Sequence, residues 1–173
     1  AIFIHSIIID EILKINGIKI DAVAGHSLGE YSALVSNGAL SLKECIELIN
    51  IRCKEMDRTI KKNPGTMIAV IDNNLNNVQD ICNNIDDVVI ANYNSTNQFV
   101  LSGSIKGVKL VTEILKENNI SKVFPLNVSG AFHSHLMNDA SHTLNKVINS
   151  VNFNDVEIPI YQNVNASPTK KGE

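Results

Sequence analysis

The nine residues Ala22-Val23-Ala24-Gly25-His26-Ser27-Leu28-Gly29-Glu30 constrain the fold more than any other part of the chain. They place Gly-x-Ser-x-Gly after a short apolar strand pattern and before a helical one. A strand that runs directly into a helix must turn sharply, and a serine at the apex of that turn projects its hydroxyl outward. Gly25 and Gly29 are expected where side chains would collide with tightly folded backbone. The Leu28 N–H would stand at the positive end of the new helix, facing any negative charge that develops beside Ser27. The same residues could form a purely structural turn, but the strand-before, helix-after context favours a nucleophilic serine.

A length of 173 residues suits one domain, or one domain with a small insert, at the usual ~100–200 residues per domain. The 44% hydrophobic content is enough for a core, and the net charge of −3 offers no basic field for nucleic acid. No apolar run reaches the ~18 residues of a membrane-spanning helix. Cys45, Cys53 and Cys82 lack metal-ligand spacing and read as buried thiols of a reducing compartment. No metal site is expected. The chain opens inside a helical pattern and closes, over residues 167–173, in what reads as a loop, so it is expected to be a fragment.

Residues 2–15 read as a helix with Ile4, Ile7, Ile8, Ile12 and Ile15 on its buried side, stopped by Asn16-Gly17. A short buried strand covers 21–24, and the helix after the elbow covers 28–36, ended by Asn37-Gly38. Ser41-Leu42-Lys43-Glu44 is a capping box opening a helix that runs to about residue 60. After Pro64-Gly65 the pattern changes to a strand at 66–71, a helix at 75–84 and strands at 88–92 and 99–102. A polar loop at 93–98 joins those two strands, and a helix at 105–118 and a strand at 122–128 follow. This βαββαβ order is the ferredoxin-like split βαβ unit. A helix at 136–151, with Leu136, Ala140, Leu144, Val147 and Val151 on its buried side, and a strand at 158–162 complete the pattern. The expected fold is therefore α/β: a hydrolase-like core with a parallel sheet and nucleophile elbow over 1–63 and 129–173, with a ferredoxin-like subdomain inserted at 64–128.

A serine hydroxyl needs a base, and histidine is the usual one. His5 and His142 lie in the first and last helices and read as surface or packing residues. His26 adjoins Ser27 in the chain, so its ring points elsewhere. His133 and His135 remain, in Ser129-Gly130-Ala131-Phe132-His133-Ser134-His135-Leu136-Met137. His133 is preferred on position: it stands just before a helix whose N-terminus disfavours the imidazolium and leaves a neutral ring able to accept a proton. Arg52 shares a helix side with Cys45, Ile49 and Met56 at i, i+4, i+7 and i+11. Its stem could lie on the core with its head in water, or paired with a glutamate. Alternatively the guanidinium is aimed into a pocket to clamp a carboxylate through two parallel hydrogen bonds. Only two of the fifteen basic residues are arginines, which favours the clamp.

The serine segment from Gly25 to Leu34, an arginine 25 positions after Ser27, the Asn92-Tyr93-Asn94-Ser95 segment and the Gly-Ala-Phe-His segment resemble the malonyl-CoA:acyl-carrier-protein transacylases and related acyltransferase domains of fatty-acid and polyketide synthesis. The resemblance implies that Ser27, deprotonated by His133, attacks the malonyl thioester while the Leu28 N–H stabilises the oxyanion. It further implies that Arg52 holds the free carboxylate of the malonyl-Ser27 ester before a carrier-protein thiol takes the group. Met56, Phe132 and Asn94 would also line the substrate site, with Phe132 crowding a methyl branch. Coenzyme A enters as substrate and no cofactor is implied. The implied partners are malonyl-CoA and acyl carrier protein, with no nucleic acid or membrane, and the protein acts as a monomer. A bacterial cytoplasm or a plastid-derived organelle suits the composition. The family's N-terminal oxyanion-hole glutamine precedes Ala1, and a downstream glutamine, near which the histidine finds its orienting carbonyl, would follow Glu173.

Two other classes use the same elbow. A serine thioesterase or hydrolase would pass the acyl group to water; its acid would usually lie between Ser27 and His133 in the chain, and candidates such as Asp86, Asp87 and Glu113 lie in the insert and read as solvated. A non-catalytic docking module would keep the fold without acylation.

Overall fold

The computed structural model describes residues 1–172; the end of the expected terminal loop, Glu173, lies outside the described residues. Two compact units divide the chain: Ala1–Arg52 with the stretch that begins at Asn145, and Cys53–Leu144.

In the second unit, strand β2 (Gly65–Ile71), helix α4 (Leu75–Asn83), strands β3 (Val88–Ser95) and β4 (Gln98–Ser104), helix α5 (Ile105–Glu117) and strand β5 (Val123–Pro125) follow one another. The strands form one antiparallel sheet in the order β3-β4-β2-β5. Ile68 and Val70 of β2, with Phe99 and Leu101 of β4, pack against Val78, Ile81, Val111 and Leu115 of the two helices. Alternation turns Met67 and Ala69 to the other face of β2. Both are buried as well, so this strand is covered on both sides. Each helix has a capped start: Asn74 accepts from Asn77 N–H, and Ser104 accepts from Gly107 N–H.

Two expectations need correcting here. The polar segment after Asn92 is no loop: β3 continues to Ser95 and only Thr96-Asn97 separates it from β4. β3 is an edge strand with an exposed face, so it tolerates polar residues that read as a loop. Tyr93 even stacks edge-on against Phe99, with ring centroids 6.1 Å apart. β5 covers only Val123–Pro125 of the expected 122–128, although one further backbone bond to β2, from Leu126 N–H to Met67 C=O, follows it.

The first unit contains helix α1 (Ile2–Ile15), strand β1 (Val23–Ala24), helix α2 (Gly29–Ser36), the start of α3 (Leu42–Lys62), the end of α6 (Asn138–Ile148), and strands β6 (Ile160–Tyr161) and β7 (Pro168–Thr169). Its sheet is mixed, not parallel throughout: β6 pairs parallel with β1 and antiparallel with β7, a strand absent from the sequence reading. The capping box forms as expected. Ser41 N–H donates to Glu44 Oε2 (2.8 Å) and Glu44 N–H to Ser41 Oγ (3.2 Å). The Ser41 hydroxyl, which donates to the same carboxylate, and next the Ser41 N–H hold the Glu44 carboxyl below its usual pKa. Gly17 and Gly38 follow the helix stops Asn16 and Asn37 at φ 74° and 85°.

Of the expected buried side of α1 only Ile7 is buried. Only Phe3 and Ile7 enter the core with Leu40, Cys45 and Leu48, whereas Ile4, Ile8, Ile12 and Ile15 are exposed. The helix is apolar nearly all round, so periodicity could not select the stripe that packs. The expected helix at 136–151 is a 3₁₀ turn (His135–Met137) followed by α6, and the strand at 158–162 is only Ile160–Tyr161. Cys45 and Cys82 are buried, and burial pushes each thiol up to about 11. Cys53 is exposed, contrary to expectation. Among the described residues no helix is long and apolar enough to cross a membrane.

Candidate active site

The elbow is built where β1 gives way to α2. Ser27 sits at φ 50°, a left-handed conformation that costs a non-glycine residue on the order of 1 kcal/mol. Gly25 is required: a Cβ there would stand 2.0 Å from the backbone of Gly29. Gly29 is not required in the same way, because a Cβ on it would meet nothing within 4 Å. The expectation for that second glycine is corrected accordingly; it is Gly29's backbone, not its missing side chain, that crowds the turn. The N–H groups of Gly29, Glu30 and Tyr31 donate to the carbonyls of His26, Ser27 and Leu28. Leu28 itself is the first residue with helical dihedrals, and its N–H has no acceptor among the described residues.

Arg52 reaches the elbow. Its Nη2 donates to Ser27 Oγ at 3.3 Å, and its guanidinium lies 5.8 Å from the centre of the Tyr31 ring. The Arg52 head therefore lies at the Ser27 hydroxyl and the Tyr31 ring. The contact with Tyr31 was not read from the sequence. Met56 is half-buried one turn further along α3.

A residue absent from the sequence reading holds the elbow from the side. Register carries it there: Val23 pairs with Ile160 and Ala24 with Tyr161 in parallel, so the chain just past β6 runs beside the chain just past β1. Asn163 Oδ1 accepts from Ser27 N–H (3.2 Å), its Nδ2 donates to Gly25 C=O (2.7 Å) and to Glu30 Oε2, and its own N–H donates to Glu30 Oε1 (3.4 Å). Functional groups gather past the carboxyl ends of parallel strands, and it is the register of β6 on β1 that brings Asn163 to that place.

His133 belongs to the second unit, in the segment that precedes the 3₁₀ turn. It is the second non-glycine residue of a candidate pair to hold a positive φ, 59°. Its flanks are fixed. Ala131 is fully buried, a Cβ on Gly130 would stand 2.5 Å from the Ile60 side chain, and the buried Ser134 hydroxyl donates to Ala131 C=O at 2.7 Å. His135 turns to Asp87, with 3.8 Å between Nε2 and Oδ1. Phe132 is half-buried. Asn94 lies exposed at the bulge of β3 where the register shifts between Tyr93 and Ser95. Asp86, Asp87 and Glu113 are exposed, as solvated carboxylates should be. Among the described residues no cluster of three or more His, Cys, Asp or Glu could hold a metal ion.

Ser27 thus stands at a positive φ in a strand-to-helix turn of an α/β protein, with a cation at its hydroxyl. The chain belongs to the acyl transferase domain family, whose model matches residues 1–173. It is 38% identical over 170 residues to the malonyl CoA-acyl carrier protein transacylase of Bacillus subtilis strain 168, covering 96% of this chain and 54% of that protein. It is 34% identical over 173 residues to the enzyme of the same name from Synechocystis, covering 100% of this chain and 57% of that protein. The crystal structure of the Synechocystis malonyl-CoA:ACP transacylase superposes with a TM-score of 0.88 over 98% of this chain and 56% of that one. A malonyl-transacylase solved in complex with its type II PKS acyl-carrier protein superposes with a TM-score of 0.91 at 29% identity, over 96% and 55% of the two chains. The chain thus spans about half the length of the curated relatives it matches.

Proposed function

We propose that this protein transfers a malonyl group from malonyl-CoA to the phosphopantetheine thiol of acyl carrier protein, through an ester on Ser27. The observation that carries the reading is Arg52 Nη2 at 3.3 Å from Ser27 Oγ. A fixed cation beside a nucleophilic oxygen suits an acyl chain that bears a negative charge at its far end. Such a site disfavours acetyl, which would leave the guanidinium without its carboxylate.

In the proposed cycle His133 takes the Ser27 proton as Oγ bonds to the thioester carbon. The negative charge on the carbonyl oxygen falls to the Leu28 N–H, which the helix start leaves uncommitted. The carbon–sulfur bond breaks, the proton passes to the coenzyme A sulfur, and malonyl-Ser27 remains with its carboxylate on Arg52. The carrier thiol gives its proton to His133 as its sulfur attacks the ester carbon, the carbon–Oγ bond breaks, His133 passes that proton to Ser27 Oγ, and the malonyl thioester leaves on the carrier. The positive φ of both Ser27 and His133 supports these roles, since strained backbone persists where surrounding structure over-determines it. Met56, Phe132 and Asn94 complete the substrate site in this reading. The names of the relatives support malonyl-CoA and acyl carrier protein as the two partners.

The same reading gives the architecture its roles. The strands and helices of residues 64–128, in sheet order β3-β4-β2-β5, form the ferredoxin-like subdomain. The elbow and its sheet form the hydrolase-like part, within residues 1–63 and 129–173.

The test is to incubate the intact protein with malonyl-CoA and, separately, with acetyl-CoA, and to map adducts by peptide mass spectrometry. Malonyl on the Ser27 peptide with little acetyl is the expected result. Equal labelling by both would overturn the role of Arg52, and rapid hydrolysis without an adduct would point to the hydrolase class.

A further inference from the structure

The geometry points to Asn163 and Glu30 as a positioning pair that sets the reactivity of Ser27. This rests on the reading of Ser27 as an acyl-accepting nucleophile. Three observations carry it. First, one amide side chain grips both sides of the apex: Oδ1 takes the N–H of Ser27 while Nδ2 takes the carbonyl of Gly25. The two residues flanking His26 are thereby held as a neighbouring strand would hold them, at a point where β1 has already ended. Second, Glu30 fixes the amide in the only orientation that permits this. Its carboxylate can only accept, and it faces both Asn163 N–H and Asn163 Nδ2, so Nδ2 is turned toward Gly25 and Oδ1 toward Ser27. Third, the residue being held is strained, at φ 50°. A left-handed serine relaxes unless its neighbours prevent it, and relaxation would swing Oγ away from the Arg52 guanidinium and from the line of attack.

The pair touches no reacting atom. It acts through the Ser27 backbone, and its removal should lower the rate of acylation per serine more than it changes substrate affinity, which is set elsewhere by Arg52. Displacing a reacting group by roughly 1 Å costs on the order of a hundredfold in rate.

The charge pattern allows a test that simple loss of stability cannot imitate. In Asn163→Asp the second carboxylate oxygen would oppose both Gly25 C=O and Glu30. In Glu30→Gln one of the two contacts to Asn163 is lost. In the double variant the amide NH₂ introduced at position 30 can donate to the carboxylate introduced at position 163. The carbonyl oxygen of the same new amide still accepts the backbone N–H of position 163. The two changes therefore compensate, whereas two independent defects would add.

The measurement is the rate of Ser27 modification in the intact protein by malonyl-CoA and by a fluorophosphonate, each normalised to the fraction of sites that label at completion. Asn163→Asp is expected to slow both by about tenfold or more, Glu30→Gln to slow both by about threefold or less, and the double variant to recover about fivefold over Asn163→Asp, a coupling of the size neighbouring residues show. A double variant as slow as Asn163→Asp or slower, or an Asn163→Asp variant at the parent rate, overturns the proposal. If Asn163→Asp does not fold, Asn163→Ala replaces it; a slowed rate per labelled site supports the pair and an unchanged one overturns it. Should the parent protein take the fluorophosphonate on Ser27 but never malonyl, the transacylase reading fails while the fluorophosphonate rates still decide the pair. No labelling of Ser27 by either reagent overturns both.

Discussion

The two sheets of this protein are built on opposite principles. In the second unit β2 and β4 pair along seven residues, from Gly65 opposite Ser104 to Ile71 opposite Gln98, over a core of fully buried aliphatic side chains. In the first unit β1 and β6 are two residues each, and the turn that follows β1 is held by side chains, above all Asn163 from 136 positions away. One sheet has long ladders over apolar area; the other has short ladders, with a buried Ile160, and directed polar contacts at the turn around Ser27. In the proposed function the chemistry sits on the second kind, because the hydroxyl must leave the fold's regular geometry to meet a substrate, and a ladder of backbone bonds cannot present it.

That contrast can be broken or sharpened by mutation. Ser27→Ala should have the largest effect: acylation is expected to fall by about 10⁴-fold or more, the scale seen when a nucleophile is deleted, with no loss of folding by circular dichroism. Leu101→Ala should do the reverse. It removes a fully buried side chain of β4 and is expected to cost about 2–5 kcal/mol in denaturant titrations, with acylation per folded molecule unchanged. Arg52→Ala should reduce the malonyl-over-acetyl preference in competition labelling by about a hundredfold or more, since a polar site built for a partner rejects the analogue lacking it.

Within the motif itself the glycines should separate. Gly25→Ala is expected to lose about 1–3 kcal/mol by overpacking against the Gly29 backbone. Gly29→Ala, in open space at the first residue of α2, should be neutral or slightly stabilising, by up to about 1 kcal/mol. Thermal melts of the two distinguish them.

Glu44 gives the smallest effect and a defined sign. Its folded pKa lies below the ordinary 4.5 because Ser41 donates to the carboxylate. The ionised cap therefore adds stability above pH 4.5, and that increment is lost as pH falls through the lowered value. Melting the parent and Glu44→Gln at about pH 7 and again near pH 3 should give a gap at the first pH that closes at the second.

The sequence made these regions legible to different degrees, for physical reasons. Local signals were sufficient for the strand-to-helix turn at Ser27, the capping box, both Asn-Gly helix stops and every element of the βαββαβ run, because each depends on residues close in the chain. Element ends failed where an edge strand tolerates polar residues, as at Tyr93 and Asn94. The packing of α1 was unreadable because isoleucines surround the helix. Asn163 was missed because its role depends on the register of β6 against β1, which no local pattern encodes. The same holds for Tyr31 under Arg52. The contact between Arg52 and Ser27 was legible only as an anomaly, a scarce arginine on an apolar helix side, until the fold placed the guanidinium at the hydroxyl.

The most direct test of the central claim is a chase. The intact protein would be loaded with malonyl-CoA, freed of excess reagent, and mixed either with holo acyl carrier protein or with buffer alone, following the mass of the Ser27 peptide. Transfer predicts that malonyl leaves Ser27 and appears on the carrier thiol far faster than it is lost to water. Loss at the same rate with and without the carrier would contradict it and assign the site to hydrolysis.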